Sequence, residues 1–201
     1  MLRITTALFL LAPAMAASQC LTADALAGGI TVEYASGDVS YIQRQPNGRL
    51  LDAFTEKSSY SKKTILIESF DGVLETNLTV HRPSTWEADT PISKSYDFTA
   101  ESLGPYTAGM RHNGTTTWGG ERYTAGDKSY LITAYPGEAL VLGNCHYDTV
   151  RVFTYELNIG DEDFYIREIK YLPALGIGLQ SGNAYFGFSS GVSEIVNMSV
   201  S

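Results

Sequence analysis

The chain has 201 residues, with 14 Lys+Arg against 22 Asp+Glu, a formal charge of −8, three His, two Cys, 19 Gly and 13 Tyr. Binding to DNA or RNA depends on clustered basic side chains that displace counterions from phosphates. The largest such group here is Lys62-Lys63, so the sequence argues against nucleic acid and against an anionic membrane surface as partners.

In chain order the first element is an export leader. Arg3 is its positive region, Ile4 to Ala12 its apolar stretch, and Ala14-Met15-Ala16 supplies the small residues that place cleavage after Ala16. That apolar run is shorter than the roughly 20 residues that span a bilayer, and no later segment reaches this length, so no transmembrane segment is expected. Loss of Arg3 with the leader takes the formal charge from −8 to −9. Residues 17–201 are then expected to form a single β-rich exported domain, in the periplasm or secreted. Gln19 stands where a lipoprotein signal takes Gly, Ala or Ser, which argues against acylation of Cys20. An even pair of cysteines in an exported chain predicts a Cys20–Cys145 disulfide. A redox pair or metal-binding thiols would call for CxxC or Cys/His spacing, and neither is present.

Helix signals are confined to Thr22–Ala27, with Thr22 as N-cap and Gly28-Gly29 as the stop. Strands dominate the remainder of the chain. Ile30, Val32 and Tyr34 alternate with Thr31, Glu33 and Ala35. Further on, Leu74, Thr76, Leu78 and Val80 fall on one face, with Glu75, Asn77, Thr79 and His81 on the wet one. Turns are predicted at Pro46-Asn47-Gly48, Asp71-Gly72, Ala125-Gly126-Asp127 and Tyr135-Pro136-Gly137, with a strand over 128–134 between the last two. Residues 91–106 read as a long loop holding a short strand near Asp97 to Thr99. The expected fold is all-β with little helix: a curved antiparallel sheet of about ten to twelve strands closing into a barrel or half-barrel, because open twisted sheets rarely exceed ~10 strands.

No catalytic, metal or cofactor site is predicted. Gly187-Phe188-Ser189-Ser190-Gly191 fits G-x-S-x-G, but that motif needs a following helix and a downstream His, whereas the last His is His146. Another order, His112 or His146 with Asp127 or Asp148 and Ser189, rests on residue types without geometry. His81, His112, His146, Cys145 and Asp148 offer metal-binding atoms, yet only His146 and Asp148 are close in sequence, and a site takes three or four convergent ligands. Asp161-Glu162-Asp163 lacks the pattern of an EF-hand loop and reads as an acidic turn. No phosphate-binding glycine loop is present.

Aromatic residues concentrate in the second half of the chain, where they fill a core or line an apolar cavity. Tyr130, Tyr155, Phe164, Phe186 and Phe188 are the candidate cavity-lining residues. The segment Leu142-Gly143-Asn144-Cys145-His146-Tyr147-Asp148 runs through an alternating strand and an acidic turn to Tyr171-Leu172-Pro173-Ala174-Leu175-Gly176-Ile177-Gly178-Leu179. Over about residues 138 to 190 it resembles bacterial exported families of unknown function that carry a Tyr-x-Pro-x-Leu-Gly step between late strands. Those families are similar in fold to the open β-barrels of periplasmic lipoprotein carriers. The resemblance implies a curved antiparallel sheet and a non-enzymatic envelope role, and it carries over no catalytic residue. The functional expectation is a binding protein for an apolar small molecule or lipid moiety. An envelope protein that docks a partner through a sheet edge or the 91–106 loop is the alternative, and a serine hydrolase ranks last.

Overall fold

A computed structural model describes residues 20–57, 62–81, 91–120, 123–158, 164–185, 188–191 and 194–201. The expected leader with its cleavage position at Ala16, the expected acidic turn at Asp161-Glu162-Asp163, and Phe186 lie outside these residues. In chain order the elements are α1 (Ala25–Gly28), β1 (Ile30–Tyr34), β2 (Val39–Arg44), β3 (Leu50–Lys57), β4 (Lys62–Phe70), β5 (Leu74–His81) and β6 (Ile92–Tyr96). Next come α2 (Ala100–Leu103), β7 (Arg111–Gly120), β8 (Tyr123–Pro136), β9 (Leu140–Leu142), β10 (Cys145–Tyr147) and β11 (Val150–Asn158). The last are β12 (Phe164–Leu172), β13 (Ile177–Tyr185), β14 (Phe188–Gly191) and β15 (Ile195–Val200).

Among the described residues, thirteen strands form one antiparallel sheet in the order β14-β13-β12-β11-β8-β7-β6-β5-β4-β3-β2-β1-β15, and β9 and β10 form a separate ribbon. One large antiparallel sheet of about the expected size is present, but it is not closed into a barrel. It is nevertheless curled. Its two edge strands follow one another in the chain, and the four steps from Gly191 to Ile195 reach at most about 14 Å. Contacts across the interior show the same bend: the Arg44 guanidinium on β2 donates to the Gly176 carbonyl before β13 at 2.9 Å, and the Asp71 carbonyl accepts the Gly178 N–H at 2.7 Å.

Local chemistry explains the turns. At the β2–β3 hairpin Gly48 has φ 82° and the Asn47 side chain accepts the Arg49 N–H at 3.0 Å. At β4–β5 both Asp71 (φ 50°) and Gly72 (φ 74°) take the left-handed region that a tight hairpin demands. Gly72 is required twice over, because a Cβ there would collide with the Gly178 carbonyl.

Three expectations are corrected. The first helix begins at Ala25 rather than Thr22, whose carbonyl accepts the Ala25 N–H in a preceding turn. The Ala125-Gly126-Asp127 turn does not form. These residues lie inside β8, where pairing along β7 and a 2.6 Å bond from the Thr117 hydroxyl to Asp127 outweigh the turn preference of Gly and Asp. Nor is 91–106 a free loop. Its strand is Ile92–Tyr96, α2 follows with a Thr99–Ser102 capping box, and Tyr96, Phe98 and Tyr106 pack in the core.

The core occupies one end of the curled sheet. Ile42, Leu50, Val73, Leu74, Ile132, Val152, Ile169, Leu172 and Ile177 are buried and lie in the strand halves nearest turns 45–49, 71–73 and 173–176. Leu26 and the β9–β10 residues Leu140 and Tyr147 join this end. The Cys20–Cys145 disulfide, with a Cα–Cα distance of 5.4 Å, fastens the start of the domain to β10 there. Beside it the Leu21 N–H donates to the Tyr147 hydroxyl at 2.9 Å.

Candidate functional site

Above the apolar end the inner face changes to charge. Lys94 on β6, Glu156 on β11 and Arg167 on β12 all take the inward phase of their strands and are buried. Glu75 joins them through a bulge. Glu75 pairs with Ser69 and Asn77 with Glu68, so Thr76 is the extra residue. One inserted residue reverses the alternation, and Glu75 turns inward instead of onto the expected wet face.

The four groups form one neutral cluster. The Lys94 ammonium lies 2.8 Å from Glu75 Oε2 and 3.0 Å from Glu156 Oε1, and Arg167 Nη1 lies 3.1 Å from Glu75 Oε1. The Trp118 ring sits 4.2 Å from the Lys94 ammonium, adding a cation–π contact. Burial alone would raise the Glu75 carboxyl, but Arg167 and Lys94 outweigh it and hold it down at about 2. Burial likewise works against the Lys94 ammonium, and Glu75 and Glu156 reverse it, raising the amine.

Beyond this layer the halves of the sheet part into a cleft of about 790 Å³, within the size range of small-molecule sites. One wall is apolar, with Phe54, Ile65, Ile67 and Leu78; Tyr34 and Tyr165 flank it, and Ser40, Asp52 and Glu75 supply polar groups. The Glu56–Lys63 pair at 3.3 Å also borders the cleft. Asp52 stands out electrostatically. Burial lifts its carboxyl from 3.8 to about 7; the Ser40 hydroxyl and Arg167 oppose the rise, and Glu75 adds to it.

That shift has a defined sign. Between about pH 4 and 7 the folded chain keeps a proton that the unfolded chain releases, so stability is fully present below the unfolded value and declines as pH rises to 7. Glu75, held at about 2, gives the opposite slope where its unfolded carboxyl titrates around 4.5, and that contribution has nearly ended by pH 5. Thermal melts at pH 5 and pH 8 should therefore show a loss in the native chain that Asp52→Asn removes. The shift corresponds to at most about 4 kcal/mol, and solvent screening of this half-buried side chain reduces the expected difference to about 1–2 kcal/mol. Equal slopes in the two proteins would contradict this account of Asp52.

The structure separates the residues singled out from the sequence. Cys20 and Cys145 are bonded. Tyr130 is buried in the core, its ring 5.2 Å from Tyr96 and 6.0 Å from Phe98, rather than in the cleft. Tyr155 and Phe164 occupy the outward phase of β11 and β12, opposite Glu156 and Tyr165, and Tyr155 stacks on Phe153 at 6.3 Å. Phe188 lies in β14 opposite Tyr185. Among the described side chains, the aromatic rings that line the cleft are Tyr34, Phe54 and Tyr165.

The remaining candidates do not converge. His112 packs edge-on against Phe98 at 4.5 Å, and it pairs with Ile132 whereas Asp127 pairs with Thr117, five residues away along the same two strands, or about 17 Å. Ser189 sits within β14 paired with Ala184. His146 is exposed on β10, and Cys145 beside it is committed to the disulfide. No group of three His, Cys, Asp or Glu suited to a metal occurs among the described residues. Among them also, no helix is long and apolar enough to cross a membrane.

Sequence reasoning missed Asp52, Glu75, Lys94, Glu156 and Arg167. Four of them left a trace: Asp52 shares its phase with Leu50 and Phe54, Lys94 with Ile92 and Tyr96, Glu156 with Val152, and Arg167 with Ile169 and Tyr171. A charged side chain on the apolar phase of a strand is the signal. Comparison with known proteins returned no match: no family model, no curated protein and no solved structure matches this chain.

Proposed function

We propose that this protein is an exported, non-enzymatic binding protein that holds an apolar small molecule or a lipid moiety in the cleft. The observation that carries the reading is the 790 Å³ space between the facing halves of the sheet, with the side chains of Phe54, Ile65, Ile67 and Leu78 along one wall. A core at the opposite end gives this site a rigid base, and a preorganised concavity lowers the ordering cost of binding. The Cys20–Cys145 disulfide is compatible with the oxidising compartment that the leader implies, and the periplasm is the location we assign.

Native mass spectrometry of protein purified from its own envelope tests the reading together with uptake of diphenylhexatriene, an apolar fluorophore. A bound adduct or a fluorescence gain is expected, and Ile67→Arg, which sets a charge on the apolar wall, should weaken fluorophore uptake tenfold or more. Absence of both signals in the native chain would overturn it.

A second reading is an envelope assembly protein. It draws on the edge strand β15, which among the described residues pairs with β1 alone and leaves Val196 and Val200 about half or more exposed (51% and 64%). An unpaired edge of this kind accepts a partner strand. Cross-linking from β15 in envelope extract would favour it over the cleft.

A further inference from the structure

The chemistry of the cleft goes beyond an apolar cavity, and the inference drawn from it rests on the binding reading above. Four carboxylates border the space, and three are engaged. Glu75 is paired with Lys94 and Arg167, and Glu56 with Lys63. Asp38 accepts the Lys57 N–H and the Ser36 hydroxyl, both at 2.7 Å. Asp52 forms no ion pair with a described residue, and its inaccessible Oδ1 has no hydrogen-bond partner. Ser40, fully buried on the neighbouring strand, also has an unpartnered hydroxyl oxygen. Asp52 stands opposite Ile42 and Ser40 opposite Phe54, so the two are diagonal neighbours on one inner face. A Ser40 hydroxyl turned toward Asp52 would supply one neutral donor and no positive charge.

We propose that the cleft binds apolar amines, with the hydrocarbon body against Phe54, Ile65, Ile67 and Leu78 and the protonated amine seated against Asp52 and Ser40. A carboxylate whose inner oxygen is shut off from water and has no partner leaves a solvation cost that an incoming ammonium removes. An anionic head group fares worse at this floor: Arg167 holds Glu75 through Nη1 and keeps an inaccessible Nε without a partner, Lys63 at the cleft border is paired with Glu56, and both Asp52 and Glu75 repel an anion.

The same geometry makes binding pH-dependent. The groups facing Asp52 are Tyr34 from β1, Ser40 from β2, Glu75 from β5 and Arg167 from β12, with the uncharged Gln180 of β13 on the same floor. Burial, with Asp52 and Asp38 nearby, raises the Tyr34 phenol, which stays neutral, while Glu75 and Arg167 keep their charges. Only Asp52 changes state near neutrality, at about 7. Seating an ammonium requires its carboxylate, so the proton leaves to solvent, and affinity climbs up to about tenfold per pH unit below that value. An alkylamine remains protonated across this range, as a lysine side chain does.

The test is displacement of diphenylhexatriene from the purified protein by dodecylamine, dodecanol and dodecanoate at pH 6 and pH 8. Dodecylamine is expected to displace at a concentration at least tenfold below dodecanol at pH 8, with dodecanoate weakest. The amine's advantage should shrink at pH 6 and disappear in Asp52→Asn and in the second variant Asp52→Ser. Fluorophore uptake with no head-group preference, or an amine preference that survives both variants, overturns this inference and leaves the binding reading standing. Failure of both diphenylhexatriene and dodecylamine to bind overturns the two together.

Discussion

Lys94→Met is expected to destabilise the protein by about 3–5 kcal/mol, because it leaves Glu75 and Glu156 buried with only Arg167 to balance them. Methionine keeps much of the aliphatic volume, so the loss reports charge rather than a cavity. Adding Glu156→Gln to Lys94→Met restores neutrality, with Glu75 still held by Arg167. The double variant should therefore recover at least half of the loss. Urea unfolding of the native, single and double variants forms a double-mutant cycle and reads the coupling directly. A Lys94→Met protein within about 1 kcal/mol of the native chain would refute the picture of a tightly coupled cluster.

Removing the disulfide by Cys20→Ser with Cys145→Ser is the second large change. The bond closes a loop with a sequence separation of 125, for which chain entropy gives about 5 kcal/mol, and native bridges measured by removal contribute about 2–5. We expect a loss of about 3–5 kcal/mol, together with exposure of Leu21 and loss of its bond to Tyr147 at the closed end. The cleft lies at the other end of the strands. Below the unfolding midpoint the serine variant should still take up diphenylhexatriene, and a parallel loss of uptake would show that the two ends are not independent.

Both expectations reflect how the interior is layered. Apolar residues near the turns close one end, charges occupy the middle, and Asp52 with Ser40 marks the floor of the open part. A charge cluster inside a sheet is a poor source of net stability compared with apolar packing, but once the partners are buried, none can be removed alone. The cluster is at the same time the boundary that stops the core from filling the whole curl.

Much of this was readable from residues alone. The alternation of Ile30, Val32 and Tyr34, the Asn47-Gly48 and Asp71-Gly72 turns, and an even pair of cysteines carried the all-β class, several hairpins and the bridge. These are local signals: side chains alternate every second residue, and certain turns demand left-handed residues, whatever the rest of the chain does. Ala125-Gly126-Asp127 shows the limit, since turn-forming residues were absorbed into β8 once a long partner strand was available.

The site itself was decided only by tertiary structure. A single bulge at Thr76 moved Glu75 from the predicted wet face to the interior, and periodicity cannot register an insertion whose partner strand is unknown. Which aromatics fill the core and which line the cleft depended on how far along each strand they sit: Tyr130, opposite Glu156, packed into the core beside the charge layer, while Tyr34 and Phe54 run from the core edge into the cleft lining, where Tyr165 joins them. Lys94, Glu156 and Arg167 meet Glu75 from strands far apart in the chain because the sheet curls, and curling is a property of all the strands together. By itself, then, the sequence determined strand phase away from bulges, the chemistry of the turns that form, and the pairing of its two cysteines, which depend on neighbouring residues and on residue count. The meeting of Asp52, Glu75 and Arg167 across the interior belonged to the tertiary structure, because it rests on distances that no local rule contains.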